Sequence, residues 1–416
     1  MNLLEVNKLL KILWNSDRIV GQGNSAYKKI GYETCMGLAE ANLAHVAHIP
    51  MGSANRMGRN WHKKVLITQS GNDPWNEDVA MKCYTDLQSD LLITLKEPWV
   101  FRRMFQEAMN FVPIVPIDHQ PVADDILLRL QTAFKVITVS RFGQWELRNK
   151  KIESTYIPHG CSDVYKRYPE RKDEWRKMWF FDPDEFVVGI VCRNQARKMI
   201  PQMLRGYARF QELNPDVKSH LMLWTDVYPR NSPQATSMGV GDVGVYLIPE
   251  ILRLGLDQSV RWPESKIIQE GIPEWSQEGW NMVSLYNCFD ALLGTTGGEG
   301  AGLPYLEAAA CGVPSISTDY AAGPEYVGPG YTIPWKDYVI YDTPGVRRPL
   351  ADVDEIARVL TKIMNSDPEK LAKKTMRFAA NFRWKNIIEM FWKPFLRECE
   401  TDLYPLVKKE GISSWA

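Results

Sequence analysis

Short apolar runs alternate with longer amphipathic stretches along most of the 416 residues. Lys11-Ile12-Leu13-Trp14 reads as a first buried strand, followed by the turn Gly21-Gln22-Gly23-Asn24 and a helical stretch from about Ala26 to Leu43. Further strands are expected at His45–Ile49, Val65–Thr68, Leu91–Leu95, Val112–Ile117 and Val136–Ser140, each short and bounded by polar, Gly or Pro punctuation. Strands that alternate with helices predict an α/β architecture with a parallel, doubly wound sheet.

The pattern then starts again. Arg171–Phe180 reads as a short amphipathic helix, and the strongly apolar Phe186–Val191 opens a second series. His220–Thr225, Ser259–Trp262, Asp290–Thr295 and Pro314–Thr318 continue it. A boundary is expected near residue 168. From about Lys370 to Glu400 the chain reads as a helix rich in aromatics (Phe378, Phe382, Trp384, Phe391, Trp392, Phe395), whose apolar face needs a partner. Packing across both halves is the natural solution, and Pro394 is expected to kink or end the helix.

At this length two cores are the default expectation. Hydrophobic residues make up 45% and charged residues 24%, with Lys+Arg equal to Asp+Glu. Zero formal net charge argues against nucleic-acid binding through a basic surface. No apolar run reaches membrane-spanning length, and Met1–Glu5 lacks the start of a signal peptide. Seven cysteines without a C-x-x-C pair suit reduced thiols, so a cytoplasmic setting is expected. The six histidines are dispersed; His45 and His48 fall on opposite faces of an expected strand. Asp182-Pro183-Asp184 and Asp352-Val353-Asp354 match a short D-x-D metal pattern but sit in loop or helix-start positions, and no metal site is read. The fifteen tryptophans read mainly as core anchors.

The chemistry concentrates at Gly297-Gly298-Glu299-Gly300-Ala301-Gly302-Leu303-Pro304-Tyr305-Leu306-Glu307. An expected strand ends in this glycine loop, and Pro304 suits the first turn of a following helix. The helix N-terminus would then point roughly half a positive charge at the loop, with the amides of about Gly300, Ala301, Gly302 and Leu303 open to a diphosphate. Glu307 lies one turn into the helix, where a carboxylate can accept two adjacent ribose hydroxyls. Glu299 lies on the loop side, near a transferred sugar. A second constellation, Arg193-Asn194-Gln195-Ala196-Arg197-Lys198, follows the apolar strand Phe186–Val191. Arg193 and Lys198 there could neutralise a leaving diphosphate.

Together these segments resemble the retaining glycosyltransferases of the GT-B fold, and glycosyltransferase family 4 in particular. Arg193 and Lys198 match that family's Arg/Lys pair. Glu299, Gly302, Leu303, Pro304, Glu307, Ala308, Ala310, Gly312 and Pro314 match its Glu-x7-Glu motif, and Ser140 and Gly323-Pro324-Glu325 extend the likeness. Cys192, Met199 and Ala301 depart from it. The resemblance is close over residues 135–400 and loose before them.

It implies two Rossmann-like domains facing each other across a cleft. Residues 1–168 would bind the acceptor, 169–380 the nucleotide-sugar donor, and the helix of 381–416 would cross back to the first. By the same analogy His119, in Val115-Pro116-Ile117-Asp118-His119, is the N-terminal catalytic histidine, and Gly21, Gly23 and Asn24 form an acceptor or phosphate loop. His159 reads as structural. The implied reaction moves a hexose from a nucleotide-diphosphate sugar to an acceptor hydroxyl with retention and without a metal or other cofactor. Base contacts are expected near Arg261-Trp262-Pro263. Two readings stay open beside it: a sugar-nucleotide epimerase, and a non-catalytic nucleotide- or carbohydrate-binding protein. A glycan or lipid-linked acceptor and peripheral membrane contact stay open too. Arg141–Lys151 is basic with two aromatics, and a solvated helix is the expectation there.

Overall fold

The computed structural model describes residues 9–20, 25–52, 58–229, 244–277, 279–340 and 346–405. Eight strands come first: β1 (Leu10–Asp17), β2 (Ala44–Met51), β3 (Asn60–His62), β4 (Val65–Ile67), β5 (Leu91–Leu95), β6 (Phe111–Val115), β7 (Ile137–Thr138) and β8 (Thr155–Tyr156). They form one sheet in the order β3-β4-β2-β1-β5-β6-β7-β8, parallel apart from the β3–β4 hairpin. Next come β9 (Phe186–Val191), β10 (Ser219–Trp224), β11 (Val260–Arg261), β12 (Ala291–Gly294), β13 (Ser315–Thr318) and β14 (Tyr331–Ile333). These make a fully parallel sheet ordered β11-β10-β9-β12-β13-β14. An antiparallel pair, β15 (Trp335–Val339) and β16 (Arg348–Ala351), stands apart.

The second sheet has the doubly wound Rossmann order, with its direction reversal between β9 and β12. The first reverses in the same way between β1 and β5. Ligands of such sheets bind beyond the carboxyl ends of the strands at that reversal.

The strand β1 runs past the apolar Lys11–Trp14 because its polar end is satisfied internally. Asn15 Nδ2 donates to Trp75 O at 3.0 Å, Asn15 Oδ1 accepts from Asn76 Nδ2 at 2.8 Å, and Ser16 Oγ accepts from Trp14 Nε1 at 3.0 Å. Buried polar groups are tolerable on those terms. His48 is buried and His45 exposed, on opposite faces of β2 as their spacing predicts.

Two stretches of chain cross between the sheets, near residues 157–168 and 380–384. They are tied together: Cys161 N donates to Phe382 O at 2.7 Å, and Arg383 donates to Ser162 O at 2.6 Å and Tyr165 O at 3.0 Å. Beyond this crossing, helices Trp384–Ile387 and Lys393–Leu403 lie on the first sheet's half. Trp392 packs 5.8 Å from Trp14, and Lys135 pairs with Glu398 and Asp402. Pro394 does not end the helix. A π-helical turn, Ile388–Trp392, precedes it, and Pro394 falls in the first turn of the next segment, where its missing N–H costs little.

The two halves also meet at Ser140. This residue caps helix Arg141–Asn149, its Oγ accepting from Gly143 N at 3.0 Å. From the other half, Glu325 accepts from the N–H groups of Arg141 and Phe142, both at 2.7 Å. The neighbouring Tyr326 hydroxyl donates to Val139 O at 2.6 Å and accepts from His159 N at 3.3 Å. His159 is buried, which pulls its pKa down to about 3 and keeps it neutral. All seven cysteines are free. Among the described residues, no helix is long and apolar enough to cross a membrane.

Candidate active site between the two sheets

The loops that follow β9 and β12 meet at the second sheet's reversal point. Gly297 N donates to Arg197 O at 2.8 Å, which zips the two loops together. Their side chains then face one another. Lys198 Nζ lies 2.6 Å from Glu299 Oε1, with the two side chains 11% and 14% exposed. Arg197 Nη1 lies 3.8 Å from Glu299 Oε2 and donates to Gly298 O at 3.2 Å. Drawing an ion pair this far out of water carries a desolvation cost, which close geometry has to offset.

Helix Leu303–Ala310 starts immediately beyond, capped by Gly302 at φ +100°, a conformation that only glycine adopts freely. The Tyr305 ring lies where side chains on Gly294 and Gly302 would project, and its hydroxyl bonds Gly294 O. Local packing thus requires both glycines. The helix start brings Gly300, Ala301, Gly302 and Leu303 beside the Lys198–Glu299 pair, with the first-turn amides and the positive end of the helix dipole at the same place.

A loop of the other half, after β6, closes over this cluster. A side chain on Gly298 would collide with the Asp118 carbonyl, and one on Gly300 with the Pro116 backbone. Arg348 from β16 donates to Asp118 O at 3.0 Å and stands 3.3 Å from Asp118 Oδ1; Arg197 stands 3.5 Å from Asp118 Oδ2. Burial alone would raise the Asp118 carboxyl, but Arg348, the His119 hydrogen bond and Arg197 outweigh it and hold it well below the usual range. His119 Nδ1 is 2.6 Å from Asp118 Oδ1. Its Nε2 is enclosed and has no hydrogen-bond partner among the described residues. Gln120 N donates to the Tyr320 hydroxyl at 2.9 Å, fixing the far end of the loop.

Glu307, one turn into the helix, is buried. Its Oε2 accepts from the Tyr286 hydroxyl at 2.7 Å, and its Oε1 lies 3.6 Å from Lys29 Nζ. Lys29 comes from helix Ala26–Glu40 of the first half and also pairs with Glu274 Oε1 at 2.8 Å. Burial works against the ammonium, but Glu307 and Glu274 reverse that and hold its pKa above the ordinary value.

The sequence motifs place Lys198, Glu299, Gly300–Leu303, Glu307 and His119 around one cleft. Arg193 is exposed and touches neither Glu299 nor Asp118; Arg197, its neighbour in the same motif, fills that place. Gly21, Gly23 and Asn24 lie outside the described residues. Cys192 sits beneath the cluster with burial pushing its thiol up to about 12. Arg261 stacks 5.1 Å from the Phe181 ring and lies 3.2 Å from His220 Nε2, while Trp262 is partly exposed beside it. Four residues escaped the sequence reading. Asp118 and Arg197 adjoin residues that were singled out, so their signal was present. Lys29 and Arg348 are brought in by folding from segments without a motif. The first sheet's own reversal point carries Asp17 and Lys96, 3.1 Å apart, with Lys96 also 5.0 Å over the Tyr27 ring.

No family model matches the chain. It is 26% identical over 215 residues to the D-inositol 3-phosphate glycosyltransferase of Actinosynnema mirum, covering 47% of this chain and 45% of that protein. It is 22% identical over 241 residues to the enzyme of the same name from Mycolicibacterium smegmatis, covering 58% and 47%. The chain thus spans just under half the length of these relatives. Among solved structures, sucrose-phosphate synthase from Thermosynechococcus elongatus superposes with a TM-score of 0.69 at 16% identity, over 95% of this chain and 100% of that one. Anabaena HepE in complex with UDP and glucose superposes with a TM-score of 0.62 at 17% identity, over 94% and 100%. The chain therefore has the GT-B fold, and the two relatives it matches in sequence are named as glycosyltransferases.

Proposed function

We propose that the protein is a retaining glycosyltransferase that moves a hexose from a nucleoside-diphosphate sugar to an acceptor hydroxyl. The observation that carries this reading is the cluster at the second sheet's reversal point. Lys198, Arg197 and a helix N-terminus gather there beside Glu299, one turn from Glu307. A diphosphate would take Lys198, Arg197 and the Gly300–Leu303 amides; a ribose would reach Glu307. The UDP and glucose bound in the similarly folded Anabaena protein support a donor of this class.

In the reaction the bond from the sugar C1 to the diphosphate oxygen breaks, and a bond from C1 to the acceptor oxygen forms on the same face. The acceptor proton passes to the departing phosphate oxygen. Negative charge builds on the diphosphate, where Lys198 and Arg197 stabilise it without a metal. Glu299 holds sugar hydroxyls and favours the oxocarbenium-like state. His119 Nε2 meets a substrate hydroxyl. Arg193, exposed in the same loop as Arg197 and Lys198, would be a further cation for the phosphates. The apposed loops exclude water, which would otherwise hydrolyse the donor.

The test is a panel of UDP-, GDP- and ADP-sugars assayed for binding and turnover with and without EDTA, with the product anomer read by NMR. Turnover of one donor in EDTA with the starting anomeric configuration is the expected result. An inverted product would overturn retention. Tight binding without any turnover would favour a binding protein on the same scaffold, and a released isomerised donor would favour an epimerase.

A further inference from the structure

We propose that Asp118 is the positioning residue for His119, and that it fills this role only while the two halves of the molecule are apposed. The carboxylate has two jobs at once. Oδ1 accepts the Nδ1 hydrogen bond of His119 at 2.6 Å, and the same carboxylate faces Arg348 at 3.3 Å and Arg197 at 3.5 Å. A carboxylate beside Nδ1 selects the imidazole tautomer that carries its proton there, so that Nε2 presents a lone pair. That Nε2 is the enclosed atom without a partner, placed to accept a hydrogen bond from a substrate hydroxyl.

Both arginines belong to the other half. Arg348 sits on β16, and Arg197 sits in the loop after β9. Backbone contacts reinforce the same apposition. Arg348 also holds the Asp118 carbonyl at 3.0 Å, Gly298 lets that carbonyl approach its own Cα, and Tyr320 takes the Gln120 amide at 2.9 Å. When the halves part, Asp118 loses both guanidinium partners and gains water, and the bias on the His119 tautomer weakens. Closure therefore finishes the alignment of the histidine as well as sealing the cleft. A histidine aligned only in the closed molecule also gives the open form little means of splitting the donor with water.

This rests on the glycosyltransferase reading for its kinetic arm alone; the structural arm is independent of it. In full-length protein with 15N-labelled histidine, the His119 resonances are assigned by their loss in His119→Ala. Neutral His119 in the wild type is expected as the Nδ1–H tautomer, against the Nε2–H form that free imidazole side chains prefer. Asp118→Asn, which can accept from or donate to Nδ1, should abolish that bias. Gly298→Ala, which blocks the approach of the halves and leaves Asp118 intact, should abolish it too. Nε2–H in the wild type, or a bias that survives both substitutions, overturns the proposal.

With the donor identified, Asp118→Asn should lower kcat by about 10²-fold with donor KM changed by no more than about threefold. The double variant Asp118→Asn/His119→Ala should be no slower than His119→Ala alone. Additive losses would mean that Asp118 acts on something other than the histidine. Absence of turnover in the wild type would sink the glycosyltransferase reading and leave the tautomer measurement to decide the role of Asp118.

Discussion

Glu299 holds Lys198 at 2.6 Å in the cleft, so a carboxylate of the protein itself sits on the cation that a diphosphate would use. On the proposed function a diphosphate would compete with this carboxylate for one ammonium and would free Glu299 for the sugar. Glu299→Gln removes the competitor but keeps the shape. UDP should then bind as tightly as to the wild type or more tightly by calorimetry, while turnover falls about 10²–10³-fold. A variant that lost UDP affinity would show that Glu299 contributes to binding itself.

Lys29 is the counter-charge for Glu307 and Glu274 across the cleft, at 3.6 and 2.8 Å. Lys29→Met leaves two carboxylates facing each other in a poorly solvated place. Stability in urea should drop by about 1–3 kcal/mol, less than for a fully buried pair because water reaches part of the cluster. Donor KM should rise as well, since Glu307 would lose its fixed position. An unchanged denaturation midpoint would place both carboxylates in contact with bulk water.

Glu325 caps a helix that belongs to the other half, at 2.7 Å to each of two amides. Glu325→Ala should cost about 0.5–2 kcal/mol, measured as a lower melting temperature. Glu325→Gln keeps an acceptor and should lose less. Equal losses would assign the effect to side-chain packing.

Glu33 lies one turn along the same helix as Lys29, and its pKa is raised to about 7 by burial and by the neighbouring Glu274 and Asp163 charges. Its folded pKa exceeds the unfolded one, so the folded state binds more protons between about pH 4.5 and 7. Stability contributed by the protonated form is present below that window and lost as pH rises through it. Glu33→Gln should therefore be more stable than the wild type at pH 8, by on the order of 1–2 kcal/mol given its partial exposure, with the gap closing near pH 5. A gap that did not depend on pH would point to packing.

The doubly wound architecture was legible because short, strongly apolar runs such as Phe186–Val191 and Leu91–Leu95 become central strands with both faces covered. The hairpins were not. β15 (Trp335–Val339) is almost wholly exposed and β3 (Asn60–His62) is three residues long, so neither carries an apolar face to betray it. The site divides in the same way. Lys198 stands in one local motif and Glu299 and Glu307 share another, and the meeting of the two motifs follows from the strand order. Arg348 reaches Asp118 over a separation of 230 residues, and nothing in its own neighbourhood announces that. Pro394 was expected to kink or end its helix; the helix goes on, but with one wide π-helical turn just upstream of the proline.

The two tied stretches of chain between the halves, joined at Cys161 and Phe382, restrict the directions in which one half could move against the other. A single connector is a tether and lets one body swing in any direction. Two connectors bonded side by side define a line, and rotation about that line is the motion that leaves their bonds intact. Sliding and twisting would shear the Arg383 contacts to Ser162 and Tyr165. A rotation about that line would return Gly298 to the same carbonyl and Arg348 to the same carboxylate. The registration of the cleft is set by a joint remote from it, much as a door meets its latch because its two hinge pins share an axis.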